Sequence, residues 1–442
     1  MRFNMSAPRV ALLIAMSFAL ALPRAIFAQA ASGPRVLYSF AGGSDGSYPI
    51  GPMVRDPQGN LYGATAEGGS DSPNCTPLCG TIFEMSHSGN IWTKATIYNF
   101  VGGDDGYFPE AGLVMGKDGN LYGTTYFGGG PRSSGTVFEL EHTAYGWREK
   151  VIHRFNTIGD GVWPEATLTF DPKGNLFGTT LTGGKGGGYG GTVFELSPNS
   201  SGWTEHVLHG FSGPGDGDGA FPVSGVVLDS AGNIYGTADL GGTSTTCAYS
   251  FGCGIVFELS PNRDGTYTET ILHNFDSIDG AGPGTTPVFD SSGNLFGATT
   301  YGGDGPYCSN GCGVFYELTP NADGTWTDQT LHQFAGGPTD GGSPINNFAL
   351  DKSGNFYGTT YDGGGGGSGG LHQCQFDGGE YCGTVYELSL AGGVWTEKVV
   401  TSFSKGNGSE PFGIIIDPAG HLYGTAFFGG AGSAGVVFEV AP

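Results

Sequence analysis

Seven copies of one short phrase, [DN]-G-x-x-P, carry the side chains best suited to chemistry: Asp45 to Pro49, Asp105 to Pro109, Asp160 to Pro164, Asp218 to Pro222, Asp279 to Pro283, Asp340 to Pro344 and Asn407 to Pro411. The residue before the proline is aromatic in four of them (Tyr48, Phe108, Trp163, Phe221) and Gly282, Ser343 or Glu410 in the rest. Carboxylates gathered on one rim offer the hard oxygen ligands that Ca²⁺ takes. Beside aromatic planes, the same carboxylates suit the hydroxyls and ring faces of a sugar. Asp-Gly is also ordinary turn composition, so each aspartate has a turn-forming reading too, and the binding reading rests on their convergence. The aromatics predict that one half of the rim is the better binding half.

Two other sets of residues could do chemistry. Eight cysteines fall as local pairs, Cys75/Cys79, Cys247/Cys253, Cys308/Cys312 and Cys374/Cys382. In an exported chain they predict four small disulfide loops; the competing metal site would be His372, Cys374, Asp377 and Cys382, with no second C-x-x-C or H-x-x-x-H in support. His153, His209, His273 and His332 occupy one repeated slot that Tyr38, Tyr98 and Thr401 fill elsewhere, which marks a structural position. No P-loop, H-E-x-x-H or Ser-His-Asp pattern appears, and a catalytic site needs different groups in different roles.

The elements that position these residues follow from a repeat. The phrase G-[NH]-[LIF]-[YF]-G begins at Gly59, Gly119, Gly174, Gly232, Gly293, Gly354 and Gly420, a period of about sixty residues that accommodates four strands. An apolar run ends in a turn at Asp56, Asp171, Asp229, Asp290, Asp351 or Asp417, with Gly116 in the second copy. The Asp can close that turn with its side chain, and the glycine supplies a positive φ. A third strand ends in an aromatic-Glu pair (Phe83-Glu84 through Phe438-Glu439), and a fourth runs from an aromatic such as Trp92 to a Phe such as Phe100. Seven equivalent glutamates predict a repeated bond between strands, because alternation sends the two members of each pair to opposite faces.

Four antiparallel strands repeated seven times predict an all-β, seven-bladed β-propeller, since radial repetition leaves only short, protected edges. The chain would start with a lone fourth strand at residues 36–40 and end with a third strand, so the N-terminal strand is expected to join the last blade and close the ring. In such a blade the [DN]-G-x-x-P connection and the loop between strands two and three emerge on one face.

The phrase G-N-L-Y-G-T-T, followed by G-G, G-T-V-F-E-L and W-T, resembles the bacterial choice-of-anchor tandem-repeat family called GloVer, from about Val36 to Val440. It is more loosely similar to NHL-type propeller repeats. The resemblance implies a propeller and brings no activity with it. Members often carry a C-terminal surface anchor, and this sequence departs from that pattern.

Composition agrees. With 86 Gly, 13% aromatic and 13% charged residues, the chain is rich in turns and short strands and poor in helix formers. A formal charge of −24 excludes partners that demand a basic face, nucleic acid and anionic lipid foremost. Arg2 and Arg9, the apolar run Val10 to Leu22 and Ala28-Gln29-Ala30 predict a signal peptide over residues 1–30, cleaved near Ala30, because the run is shorter than the roughly 20 residues of a membrane span. The expected product is a secreted monomeric propeller over residues 31–442. Its expected role is a non-catalytic recognition or scaffold module for extracellular protein or glycan. The alternative is a propeller hydrolase or lyase with a divalent cation at the channel mouth.

Overall fold

The computed structural model describes residues 33–75, 79–185, 187–215, 217–247, 251–365 and 382–441. The segment expected to direct export lies outside them. Seven four-stranded antiparallel sheets follow one another along the chain and close into a ring of seven blades. Blade 1 consists of Ser47–Arg55, Leu61–Glu67, Thr81–Ser88 and Ile91–Asn99, from inner to outer strand. Blade 7 takes Ser409–Ile416, Leu422–Phe428 and Val436–Val440 from the C-terminal end and its outer strand, Arg35–Ser39, from the N-terminal end. The joining register is Arg35↔Glu439, Val36↔Phe438, Tyr38↔Val437 and Ser39↔Val436, and an ion pair between Arg35 and Glu439 at 2.6 Å fastens it. The expected closure is therefore present.

The repeated residues explain the blades. In blade 1 Asp56 accepts the Asn60 backbone N–H (2.8 Å) and its side-chain amide (2.9 Å), which locks the hairpin. In blade 2, where Gly116 has no carboxylate, Asp118 accepts the same two donors from Asn120 (3.0 and 2.9 Å). The closing glycine of the phrase is needed for a close approach: a Cβ on Gly63 would lie 2.6 Å from Phe83 Cζ, and one on Gly178 2.6 Å from Phe194 Cζ. The third-strand ring lies flat against that glycine. Its edge meets the Phe that ends the preceding blade's outer strand, with centroids 5.3 Å apart for Phe40–Phe83, 5.2 Å for Phe155–Phe194 and 4.9 Å for Phe403–Phe438. These edge-to-face pairs join neighbouring blades and are fully buried. The outer-strand tryptophans fill the remaining gap: Trp147 packs on Tyr62 and Trp203 on Tyr122. The expected bond across strands forms at Glu84, Glu139 and Glu439, each accepting from the second-strand tyrosine (2.8 Å from the Tyr122 hydroxyl at Glu139, which also faces Lys150 at 3.6 Å), whereas Glu195 and Glu258 accept from Ser197 and Ser260 on their own strand.

Repetition breaks down at the inner strand, the one that lines the ring axis. It is eight to ten residues long in blades 6, 7 and 1 and only two in blades 2 to 5.

Candidate functional site

The [DN]-G-x-x-P connection and the loop between strands two and three do share a face, because they bond to each other. Tyr107 bridges Phe127, Val162 bridges Thr182 and Ala281 bridges Tyr301, while Gly219–Ala220 pairs with Leu240–Gly241 as a small extra sheet. The residue before the proline adopts a positive φ in every copy: 59° at Tyr48, 62° at Phe108, 62° at Trp163, 55° at Phe221, 63° at Gly282, 56° at Ser343 and 56° at Glu410. Bulky residues avoid this region unless the surroundings impose it. Here they do, since the Trp163 N–H donates to Ser134 O and the Glu410 N–H to Cys382 O, in each case on the preceding blade.

The six aspartates are distributed one per blade interface. Asp45 accepts the Tyr38 hydroxyl (2.8 Å) and the Ala41 N–H (2.8 Å). Asp105 accepts the Tyr98 hydroxyl (2.7 Å) and the Val101 N–H (2.6 Å). Asp160 accepts the Thr157 N–H, Asp218 those of Ser212 and Gly219, Asp279 that of Asp276, and Asp340 those of Ala335 and Gly341. Each carboxylate closes its own turn and faces the residue in the histidine slot. They do not assemble the shared shell of six to eight oxygens that Ca²⁺ takes.

The aromatics, too, are spent locally. Tyr48 stacks on Phe427 (5.0 Å, 16°) and Trp163 on Tyr126 (5.5 Å, 8°); Phe108 lies near Tyr126 and Phe127, and Phe221 near Tyr189. In each case a rim aromatic fills the notch between its own blade and a neighbouring loop or strand end. The disulfides Cys75–Cys79, Cys247–Cys253 and Cys308–Cys312 form in the loops of this face as expected. Of the fourth pair, Cys374 lies outside the described residues, as do His372 and Asp377.

Where the rim aromatics stop, the face opens. A cavity of about 900 Å³ is lined by the residue after the proline in all seven blades: Ile50, Glu110, Glu165, Val223, Gly284, Ile345 and Phe412. Contributions from every blade place it on the ring axis, at the mouth of the central channel. Its outer wall comes from one side only, with Asp239, Tyr301, Tyr361 and Phe427 at the ends of the second strands of blades 4 to 7, and Ser343 and Glu410 at the pre-proline position. A side cavity of about 530 Å³ continues beneath Gly282, between Asp239, Phe251, Tyr301 and the Cys247–Cys253 loop. A narrower space of about 130 Å³ runs down the channel past Glu110, Glu165, Thr167, Ser224 and Asn346.

Three carboxyl groups dominate the electrostatics of the mouth. Burial pushes Glu110 up to about 7 and Asp239 up to about 6; burial, with the charges of Glu110 and Asp239 added, pushes Glu165 up to about 8. Near neutral pH these groups can therefore donate as well as accept hydrogen bonds. Asn346, held at φ 69°, lines the mouth and the narrower space below. Sequence reasoning missed Glu110, Glu165 and Asp239. The available signal was variation: the slot after the proline reads Ile, Glu, Glu, Val, Gly, Ile, Phe while its neighbours repeat.

Comparison with known proteins agrees with this architecture. A model of the Gloeobacter/Verrucomicrobia repeat matches residues 25–250 and 241–442. No curated protein matches the chain. Among solved structures, a fungal alcohol oxidase in complex with copper shares 12% identity with a TM-score of 0.52, over 92% of this chain and 75% of its own. PorZ, a surface component of the type-IX secretion system of Porphyromonas gingivalis, shares 16% identity with a TM-score of 0.48, over 91% of this chain. The present chain spans about half the length of PorZ, 47%. A gluconolactonase from Xanthomonas campestris shares 11% identity with a TM-score of 0.39, over 93% of this chain and 95% of its own. At 12% identity the likeness to the oxidase concerns the fold alone. The repeat itself is matched from one end of the propeller to the other, and the chain belongs to the Gloeobacter/Verrucomicrobia repeat family.

Proposed function

We infer that this is an exported recognition module that binds carbohydrate in the cavity at the channel mouth. The observation that carries this reading is the make-up of that cavity: about 900 Å³ lined by the rings of Tyr301, Tyr361, Phe412 and Phe427 together with the carboxyl groups of Glu110, Glu165 and Asp239. Aromatic faces pack on the apolar faces of sugar rings, and a few convergent polar groups fix the hydroxyls. The disulfide-bonded loops suit an oxidising, extracytoplasmic compartment. The rim aspartates (Asp45, Asp105, Asp160, Asp218, Asp279, Asp340) and aromatics (Tyr48, Phe108, Trp163, Phe221) border the same face and would extend the footprint for a longer chain.

The test is a glycan array followed by calorimetry on the best hit, comparing the parent with Tyr361→Ala and Phe427→Ala. A loss of about two- to tenfold in either variant supports the cavity, since one removed stacking contact is worth roughly 0.5–1.5 kcal/mol. A blank array alongside specific capture of a protein partner would replace glycan by protein as the ligand class.

The same carboxyls favour a second reading, a hydrolase or lyase. Glu165 carries a raised pKa because it is buried and because Glu110 and Asp239 stand close to it, and carboxyl groups pushed apart in pKa are the raw material of acid–base catalysis. Mass spectrometry of bound oligosaccharides after prolonged incubation distinguishes the two: intact ligand supports recognition, whereas shortened ligand that Glu165→Gln preserves intact supports catalysis.

A further inference from the structure

A second constellation lies away from the channel, between the outer parts of adjacent blades. At three consecutive interfaces the histidine slot, the turn aspartate and an acid two residues beyond the outer-strand aromatic of the next blade come together: His209, Asp218 and Glu269; His273, Asp279 and Asp328; His332, Asp340 and Glu397. Within each set, one ligand atom from each residue lies within 4.8 Å of the others. His209 Nε2 is 3.7 Å from Asp218 Oδ1 and 3.7 Å from Glu269 Oε1; His332 Nε2 is 3.4 Å from Asp340 Oδ2, and His273 Nε2 is 3.0 Å from Asp279 Oδ2.

Two observations say that these sets are organised around something more than their mutual contacts. First, His209 Nε2, Glu269 Oε1, Asp328 Oδ1, His332 Nε2 and Glu397 Oε1 are buried and have no hydrogen-bond partner among the described residues. Buried polar atoms without partners are costly. His273 Nε2 bonds to Asp279 Oδ2 at 3.0 Å, but at 3.7 Å His209 is too far from either of its carboxylates for a hydrogen bond. That separation is close to the spacing of about 3.3–3.6 Å between tetrahedral ligands each about 2.0–2.2 Å from a metal.

Second, the equivalent interface between blades 7 and 1 holds a cation of its own. There the acid is replaced by Lys94, whose ammonium group donates to Asp45 Oδ1 (3.0 Å) and Asp45 O (2.6 Å) with only 3% of the side chain exposed. Where Lys94 is replaced by a Glu or Asp, two carboxyl groups face each other at the same depth.

We propose that the interfaces between blades 3 and 4, 4 and 5, and 5 and 6 are three equivalent binding sites for a divalent transition metal, Zn²⁺ fitting best, with one imidazole nitrogen and two carboxylate oxygens as ligands at each. An imidazole in the set favours Zn²⁺ over the all-oxygen cations Ca²⁺ and Mg²⁺, and three protein ligands leave a fourth position for water. The sites do not depend on the channel-mouth cavity, so glycan binding and metal binding stand or fall separately. The interface with Tyr98, Asp105 and Glu149 has no imidazole, and at the next one His153, Asp160 and Glu205 do not converge as the three sets do, so neither should bind zinc.

Metal content after dialysis against micromolar Zn²⁺, read by mass spectrometry, should be about three ions per chain, and the single variants Glu269→Gln, Asp328→Asn and Glu397→Gln should each lower it by about one. Co²⁺ in place of Zn²⁺ should give visible ligand-field bands that weaken by a third per variant, and EDTA should lower the Tm by a few degrees. Fewer than one ion per chain, or a stoichiometry unchanged in all three variants, overturns the proposal. Each substitution keeps side-chain shape, so folding of the variants can be checked by their far-ultraviolet spectra before the metal is counted.

Discussion

The upper face of this ring has two halves that share one backbone conformation at the pre-proline position. In blades 1 to 4 the pre-proline residue at positive φ is aromatic and fills the notch beside it. In blades 5 to 7 the same φ carries Gly282, Ser343 and Glu410, and there the side cavity and the outer wall of the channel mouth are found. The repeat fixes conformation at that position and leaves side-chain volume to vary, so a cavity opens where bulk is withheld. In the half where the sequence places the rim aromatics, Tyr48 and Trp163 stack on Phe427 and Tyr126.

The largest expected effect tests whether the halves really share one frame. Gly123→Ala in blade 2 would put a Cβ 2.7 Å from Phe138 Cζ, and Gly358→Ala in blade 6 would put one 2.4 Å from Tyr386 Oη. Either change must displace the ring that joins two blades, and overpacking of this kind costs about 3 kcal/mol. Similar losses in denaturant or thermal unfolding are expected from both; a loss confined to one variant breaks the premise that the glycine–ring contact is common to both halves.

The next test transplants the difference. Gly282→Trp places in blade 5 the residue that blade 3 carries at Trp163, at nearly the same φ. The new side chain would enter the side cavity and press on Asp239 and Tyr301, which lie 2.9 and 3.1 Å from where its Cβ would stand. Calorimetry should show at least about tenfold weaker binding of the array ligand, or about 1.4 kcal/mol. Binding as tight as the parent's would mean that the open half is not the site.

How much of this was legible depends on what each residue is constrained by. The hairpin phrase could be read because its residues answer to local demands that recur seven times: Asp56 closes a turn, and Gly63 gives way to the Phe83 ring. Ring closure could be read because Val36 and Phe438 belong to incomplete copies that complete each other. The cavity could not, since Glu110, Glu165 and Asp239 sit in three different copies and obey no pattern that repetition would expose. The interface sets were half legible. The histidines and turn aspartates were visible as repeated slots, but their meeting with Glu269, Asp328 or Glu397 depends on how one blade packs on the next, which no period along the chain encodes.

A smaller effect separates the halves by pH. Glu165 lies in the mouth, and burial together with Glu110 and Asp239 raises it to about 8 from an unfolded value near 4.3. A raised folded value means that the native state holds its proton more tightly than the unfolded chain does. The associated stability is complete below about pH 4 and is lost as pH rises through about 8. Partial access to solvent at the mouth screens the effect to about 1 kcal/mol. Unfolding of the parent between pH 5 and 8 should therefore show a decline that Glu165→Gln makes shallower by about that amount. A parallel decline in both would locate the titration elsewhere.

The smallest expected effect comes from the filled half. Phe108 lies 6.4 Å from Tyr126 and 6.0 Å from Phe127, looser than the stacked pairs at Tyr48 and Trp163. Phe108→Ser copies the residue found at 343 onto the same positive φ and removes a half-buried ring, for about 0.5–1 kcal/mol of stability. Ligands short enough to fit the mouth should bind this variant within about twofold of the parent. If the rim aromatics extend the footprint, affinity falls only for longer oligosaccharides, and the length at which it begins to fall measures how far along the rim the ligand reaches. Weakened binding of the shortest ligands would move the primary site from the open half to the filled one.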